Sequence, residues 1–134
     1  MALIILLINL LNLLSPQIKI ENVWMRIANK GMNTALYFDI NNLTSKDYEL
    51  IEVSSDIAKV VQIHETYKNG ENLGMRKVAS IVIKSKSKFH LSPGGFHVMI
   101  IRLKENLKAG DKKEFVLSFK NHSAMRIIAT VKED

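Results

Sequence analysis

The chain has 134 residues, with 19 Lys and Arg against 13 Asp and Glu, a net charge of +6 and no cysteine. One domain is the default at this length, and the lack of thiols excludes disulfides, cysteine zinc sites, iron–sulfur clusters and a thiol nucleophile. The basic residues are spread along the chain without interleaved aromatics, which argues against a nucleic-acid surface; the densest run, Lys84, Lys86 and Lys88 alternating with Ser85 and Ser87, reads as a solvated edge.

Met1 to Leu14 is apolar apart from Asn9 and Asn12, and the first charge is Lys19. A helix over that run would reach only about 21 Å, short of the roughly 30 Å hydrocarbon core of a bilayer. The segment is therefore expected to be a signal peptide, residues 1–17, rather than a stable membrane span. No cysteine is present to carry a lipid anchor. Residues 18–134 are expected to form one exported, periplasmic domain.

After Ser15-Pro16 the pattern changes to short β-rich runs: Ile18–Ile27, Thr34–Asn41, Tyr48–Ser54, Ala58–Thr66, Ala79–Lys84, Phe89–Leu91, His97–Lys104, Glu114–Phe119 and Met125–Val131. The breaks between them are turn-forming, among them Lys30-Gly31, Lys68-Asn69-Gly70-Glu71-Asn72, Pro93-Gly94-Gly95 and Ala109-Gly110-Asp111. This spacing predicts an all-β fold, an antiparallel β-sandwich or barrel. Alternation places Val61 and Ile63 on one face of their strand and Val60, Gln62 and His64 on the other. Likewise Val98 and Ile100 oppose His97, Met99 and Ile101. Trp24, Tyr37, Phe38, Phe115 and Phe119 are candidate core or corner aromatics.

The soft donors are few. His97 and Met99, at i and i+2, share a strand face about 6.5–7 Å apart, and the Ser92–Phe96 turn sets His97 at the strand's open end. His64 lies at the end of another strand, and Met75 just past the Lys68–Gly74 loop. Two strand ends and a loop would thus bring two imidazoles and two thioethers to one partly accessible rim. Thioethers suit Cu(I) and are poor ligands for zinc, calcium or magnesium. Without a cysteine thiolate, a blue-copper electron carrier is disfavoured. No nucleophile triad, paired-carboxylate site or phosphate-binding glycine loop stands out, so no enzyme activity is expected. Met25, Met32, His90 and His122 are further donors whose part in the site the sequence leaves open, and Glu65 is a candidate acceptor for a histidine N–H.

The spacing of His64, Met75, His97 and Met99 resembles the H-x10-M-x21-H-x-M signature of the periplasmic copper chaperones of the PCuAC family. Val23-Trp24-Met25-Arg26 resembles that family's W-x-R strand, and Ala35–Asn42 its A-x-Y-x-x-I-x-N strand. His64-Glu65-Thr66 resembles its H-E-T, and Leu91–Met99 its L-x-P-G-G-Y-H-L-M. The resemblance runs from about Ile20 to Val131. It implies a cupredoxin-like β-sandwich or Greek-key barrel that binds one Cu(I) through these four residues. It also implies delivery to an acceptor protein, such as the CuA site of cytochrome oxidase subunit II or another copper chaperone, by a monomer. Members with extra methionines after the H-E-T differ from this chain, which has Tyr67, Lys68 and Leu73 there. The alternatives are a copper-sequestering or resistance protein with the same site, and a partner-binding β-sandwich that takes no metal.

Overall fold

The computed structural model describes residues 17–133; the expected leader therefore lies outside the described residues, Gln17 excepted. The strands are β1 (Ile18–Arg26), β2 (Thr34–Asn42), β3 (Tyr48–Ser54), β4 (Ala58–Asn69), β5 (Asn72–Lys77), β6 (Ile81–Ile83), β7 (Ser87–Leu91), β8 (Phe96–Leu103), β9 (Lys112–Phe119) and β10 (Met125–Lys132). Among the described residues no helix is long and apolar enough to cross a membrane.

Strict alternation builds the core, because successive side chains on a strand point to opposite faces. Leu36, Phe38 and Ile40 of β2, Val98 and Ile100 of β8, Phe115, Leu117 and Phe119 of β9, and Ile127, Ala129 and Val131 of β10 are all buried. Each large side chain buried this way contributes about 1.5–3 kcal/mol relative to exposure.

Two backbone irregularities decide which residues join that core. In β1 the register against β2 shifts between Glu21 and Trp24, where Asn22 has φ 53°. Uninterrupted alternation from Ile18 and Ile20 would carry Trp24 inward. The extra residue instead turns Met25 into the core and Trp24 onto the outer face, half-buried. Trp24 there packs on Tyr37, with ring centroids 4.8 Å apart; Trp24 is therefore not a core aromatic, whereas Tyr37, Phe38, Phe115 and Phe119 are buried. In β8, Arg102 at φ 58° resets the alternation so that Leu103 is buried.

The sheet order is β5-β4-β8-β2-β1-β10-β9-β3-β6, with β7 pairing the second half of β2. Two expectations need correction. The pairing is mixed, since β1 and β10 run parallel; these strands lie far apart in sequence, so no tight hairpin dictates their relative direction. The strand path also runs from β5 to β6 without a pairing that joins its ends among the described residues. The architecture is thus a folded mixed sheet of the cupredoxin-like sandwich kind rather than a closed barrel.

A third correction bears on the site. The Lys68–Asn72 stretch is not a long loop. β4 continues to Asn69, a two-residue turn at Gly70-Glu71 follows, and β5 returns along β4. His64 is therefore interior to its strand, and Met75 sits on a strand.

Candidate metal centre

Register brings the soft donors to one sheet face. In the β4–β8 ladder His64 is directly opposite His97, and Gln62 opposite Met99. In the β4–β5 ladder Thr66 is opposite Met75, and His64 opposite Lys77. Residues paired across a ladder project to the same side, as do residues two apart on a strand. His64, Met75, His97 and Met99 thus all share the outer face, behind which Ile63, Val98 and Ile100 fill the core.

The two imidazoles have ring centroids 5.8 Å apart, tilted by 52°. Each holds one neighbour through one nitrogen. His64 Nε2–H donates to the Gln62 side-chain oxygen at 2.9 Å, and His97 Nδ1–H donates to the Gly95 carbonyl at 3.1 Å. The remaining nitrogens, His64 Nδ1 and His97 Nε2, are buried without a hydrogen-bond partner, the only such side-chain atoms among the described residues. Burial first, then repulsion from His97 and Lys77, lowers the His64 pKa below the usual imidazole value and favours the neutral ring.

The turn before β8 is built to hold His97. Pro93 and Gly94 occupy the central positions, Gly94 has φ 86°, and Gly95 N–H donates back to the Ser92 carbonyl at 3.0 Å. A proline followed by a positive-φ glycine is the signature of a type II turn. The Gly95 carbonyl also accepts Thr66 N–H at 3.1 Å, which ties the turn to β4. One peptide oxygen therefore links the turn, β4 and the His97 ring.

Access is graded. His97 is only 3% exposed, whereas Met75 is 58% exposed, with His64 and Met99 between them. The expectation that all four would be partly accessible fails for His97, which lies at the floor. An open groove of about 360 Å³ runs past Met75, His97 and Met99 toward Arg26, Ile27, Ala35 and Tyr37.

The other donors lie elsewhere. Met25 is in the core, and Met32, 60% exposed in the β1–β2 connection, does not line the groove. His90 is 2.7 Å from the Asp39 carboxylate, and His122 stacks on Tyr48 with centroids 4.0 Å apart. Glu65 turns to the opposite face and takes Arg76 Nε at 2.6 Å. The histidine acceptors are Gln62 and the Gly95 carbonyl instead. Strand alternation does put Gln62 beside His64, but hydrogen bonding to the ring is not legible in that pattern. Among the described residues no group of three or more His, Cys, Asp and Glu side chains is placed to hold a metal ion. Met75 and Met99 are the thioethers that share this sheet face with His64 and His97.

The family model "Putative lipoprotein LpqE-like" matches residues 18–131. The chain belongs to the LpqE-like family. This LpqE-like chain is 32% identical over 117 residues to "Putative lipoprotein Lxx21020" of Leifsonia xyli subsp. xyli (strain CTCB07), covering 87% of this chain and 70% of that protein. Its fold matches a copper-bound PCuAC domain from PmoF2 with a TM-score of 0.74 at 26% identity, over 88% of this chain and 94% of that one. It matches an apo PCuAC domain from PmoF1 with a TM-score of 0.76 at 25% identity, over 88% and 95%. The LpqE-like domain thus has the PCuAC fold that its sequence motifs resemble. Membership of a lipoprotein family identifies an exported, periplasmic protein.

Proposed function

We propose that this protein is an extracytoplasmic copper(I) chaperone that binds one Cu(I) through His64, Met75, His97 and Met99 and hands it to an acceptor protein. The carrying observation is the pair of buried, unpartnered nitrogens, His64 Nδ1 and His97 Nε2, on facing rings. A buried polar atom without a partner costs about 1–3 kcal/mol, so a native fold that keeps one on each of two neighbouring rings is suited to a ligand. A metal–imidazole bond is about 2 Å long, so two rings sharing one ion hold their centres roughly 5–6 Å apart, in line with the 5.8 Å found. Two neutral imidazoles and two thioethers form a soft, uncharged set that suits Cu(I) over harder divalent ions. The copper-bound state of a PCuAC domain of the same fold supports the choice of metal.

Transfer is favoured over sequestration by the position of Met75. An exposed thioether on the terminal strand of the sheet is the ligand an incoming donor can replace while His97 still holds the ion from below. The CuA site of cytochrome oxidase subunit II, or another copper chaperone, is the acceptor class we propose. The test is an anaerobic Cu(I) titration against a chromophoric chelator, on the wild type and on His64→Ala and Met99→Ala. One tight equivalent, lost or strongly weakened in both variants, is expected. A wild type that does not compete for Cu(I) overturns the reading and leaves a partner-binding β-sandwich.

A further inference from the structure

A neutral imidazole has one N–H donor and one lone pair, so whatever accepts the proton on one nitrogen decides which nitrogen is left for a metal. The two histidines here are held in opposite senses. His97 presents Nδ1–H to a backbone carbonyl, an acceptor fixed by the turn and by Thr66 N–H. His64 presents Nε2–H to a side chain, the amide oxygen of Gln62 at 2.9 Å. Gln62 stands two residues before His64 on the same strand face and directly across from Met99, so it lies within the donor cluster without supplying a soft ligand atom. The atoms left over are His64 Nδ1 and His97 Nε2.

We infer that Gln62 is a positioning residue of the copper site. Its amide oxygen holds the His64 ring with the proton on Nε2, so that the ion is taken by Nδ1 of His64 and by Nε2 of His97. The inference rests on the copper reading for its ligand, but the proton positions are properties of the metal-free protein. Partners of this kind fix the orientation of a ligating histidine and raise its basicity, and their loss weakens metal binding about 10–100-fold. Gln62→Leu removes the acceptor at similar size. Gln62→Glu keeps an acceptor oxygen at the same reach.

The experiment is ring-nitrogen NMR on the 15N-histidine-labelled apo and Cu(I)-loaded protein, beside the Cu(I) competition titration. In the apo wild type His64 is expected to carry its proton on Nε2 and His97 on Nδ1, and Cu(I) is expected to shift the other nitrogen of each ring. Gln62→Leu is expected to lose the protected Nε2–H signal of His64 and to bind Cu(I) at least about tenfold more weakly. Gln62→Glu is expected to retain the signal. The Nδ1–H signal of His97, bound to a backbone oxygen, reports in every variant that the fold around the site is intact. A proton on Nδ1 of His64 in the apo wild type overturns the inference, as does a Gln62→Leu variant with unchanged signal and affinity. A wild type that binds no Cu(I) overturns the copper reading itself, whereas a wild type that binds Cu(I) and gives either of those two results overturns only the role of Gln62.

Discussion

His64 and His97 face each other across the β4–β8 ladder with ring centroids 5.8 Å apart, and each keeps one buried nitrogen without a hydrogen bond. The metal-free fold carries that desolvation cost, and an ion bound between the rings, as proposed, would relieve it. A ligand that binds only the native state stabilises it by about 2.7 kcal/mol when its free concentration is 100 times Kd. Buffered Cu(I) is therefore expected to raise Tm by several degrees in calorimetry or thermal fluorescence, and a chelator should reverse the gain. An unchanged Tm at saturating buffered Cu(I) would contradict a site shared by these rings.

Met75 is 58% exposed, so its contribution to folding is small. Met75→Leu keeps the size and removes the sulfur. Stability in urea is expected to stay within about 0.5 kcal/mol of wild type, while Cu(I) affinity falls and release to a competing chelator speeds up. Equal affinities in the two proteins would remove Met75 from the ligand set.

Gly74 faces Tyr67 across the β4–β5 hairpin. A Cβ at Gly74 would lie 2.5 Å from Tyr67 Cζ. The Arg76 guanidinium lies 5.0 Å from the Tyr67 ring centre. Gly74→Ala should push the ring aside at a cost of about 0.5–1 kcal/mol, the value of an exposed cation–π contact. Because a hairpin slip of one residue would move Met75 to the other face, Cu(I) affinity should fall as well. Adding Tyr67→Ala to Gly74→Ala should make stability no worse and recover part of the affinity; a further loss of both would show that the ring is not what the new methyl displaces.

The lowered pKa of His64 has a consequence for acid stability. Burial, then repulsion from His97 and Lys77, favours the neutral ring in the native state. The unfolded chain, at the ordinary imidazole value of about 6.5, takes up the proton first as pH falls. This contribution is fully present above about pH 6.5 and is lost as pH drops below that value and through the folded-state pKa. Lys77→Met removes one repelling charge, brings the two values closer and should shrink the acid loss, as measured by urea unfolding from pH 7.5 to 5. An equal or steeper loss in the variant would show that Lys77 does not act on His64.

Asn42 serves as a control away from the proposed metal site. It is fully buried and its amide nitrogen contacts the carbonyls of Lys46, Ile83 and Lys84 at 2.9, 3.1 and 3.2 Å. Its oxygen accepts from Thr44 N–H and Oγ1–H at 3.0 and 2.7 Å. Asn42→Ala strands several of these groups and should cost about 2–4 kcal/mol, in the range for breaking a buried polar network. Cu(I) affinity of the folded fraction should not change; a matching loss of affinity would mean that the network reaches the metal face.

The period of two along each strand made much of the site's face legible. It put His97 with Met99 and Gln62 with His64, and it set Ile63, Val98 and Ile100 on the opposite faces of their strands, where they are buried. It failed where the backbone departs from that period. Asn22 at φ 53° turns Trp24 outward, and nothing in the alternation of β1 marks the extra residue. It also failed at β5, where Asn72-Leu73-Gly74-Met75-Arg76-Lys77 shows no buried face. A strand at the end of a sheet, paired on one side only, has no core to impose an apolar pattern on it.

By itself, then, the sequence determined a short-stranded all-β domain without thiols and a soft His and Met donor set, because residue type and side-chain alternation are local properties. The tertiary structure alone decided that His64 stands opposite His97, that Met75 rather than His97 is the exposed ligand candidate, that β1 and β10 run parallel, and which ring nitrogens remain bare. Those facts depend on which distant strands become neighbours and on where turn carbonyls and cross-strand amides come to rest. No local pattern encodes them, since they arise only when the sheet folds over its core and fixes the register between strands.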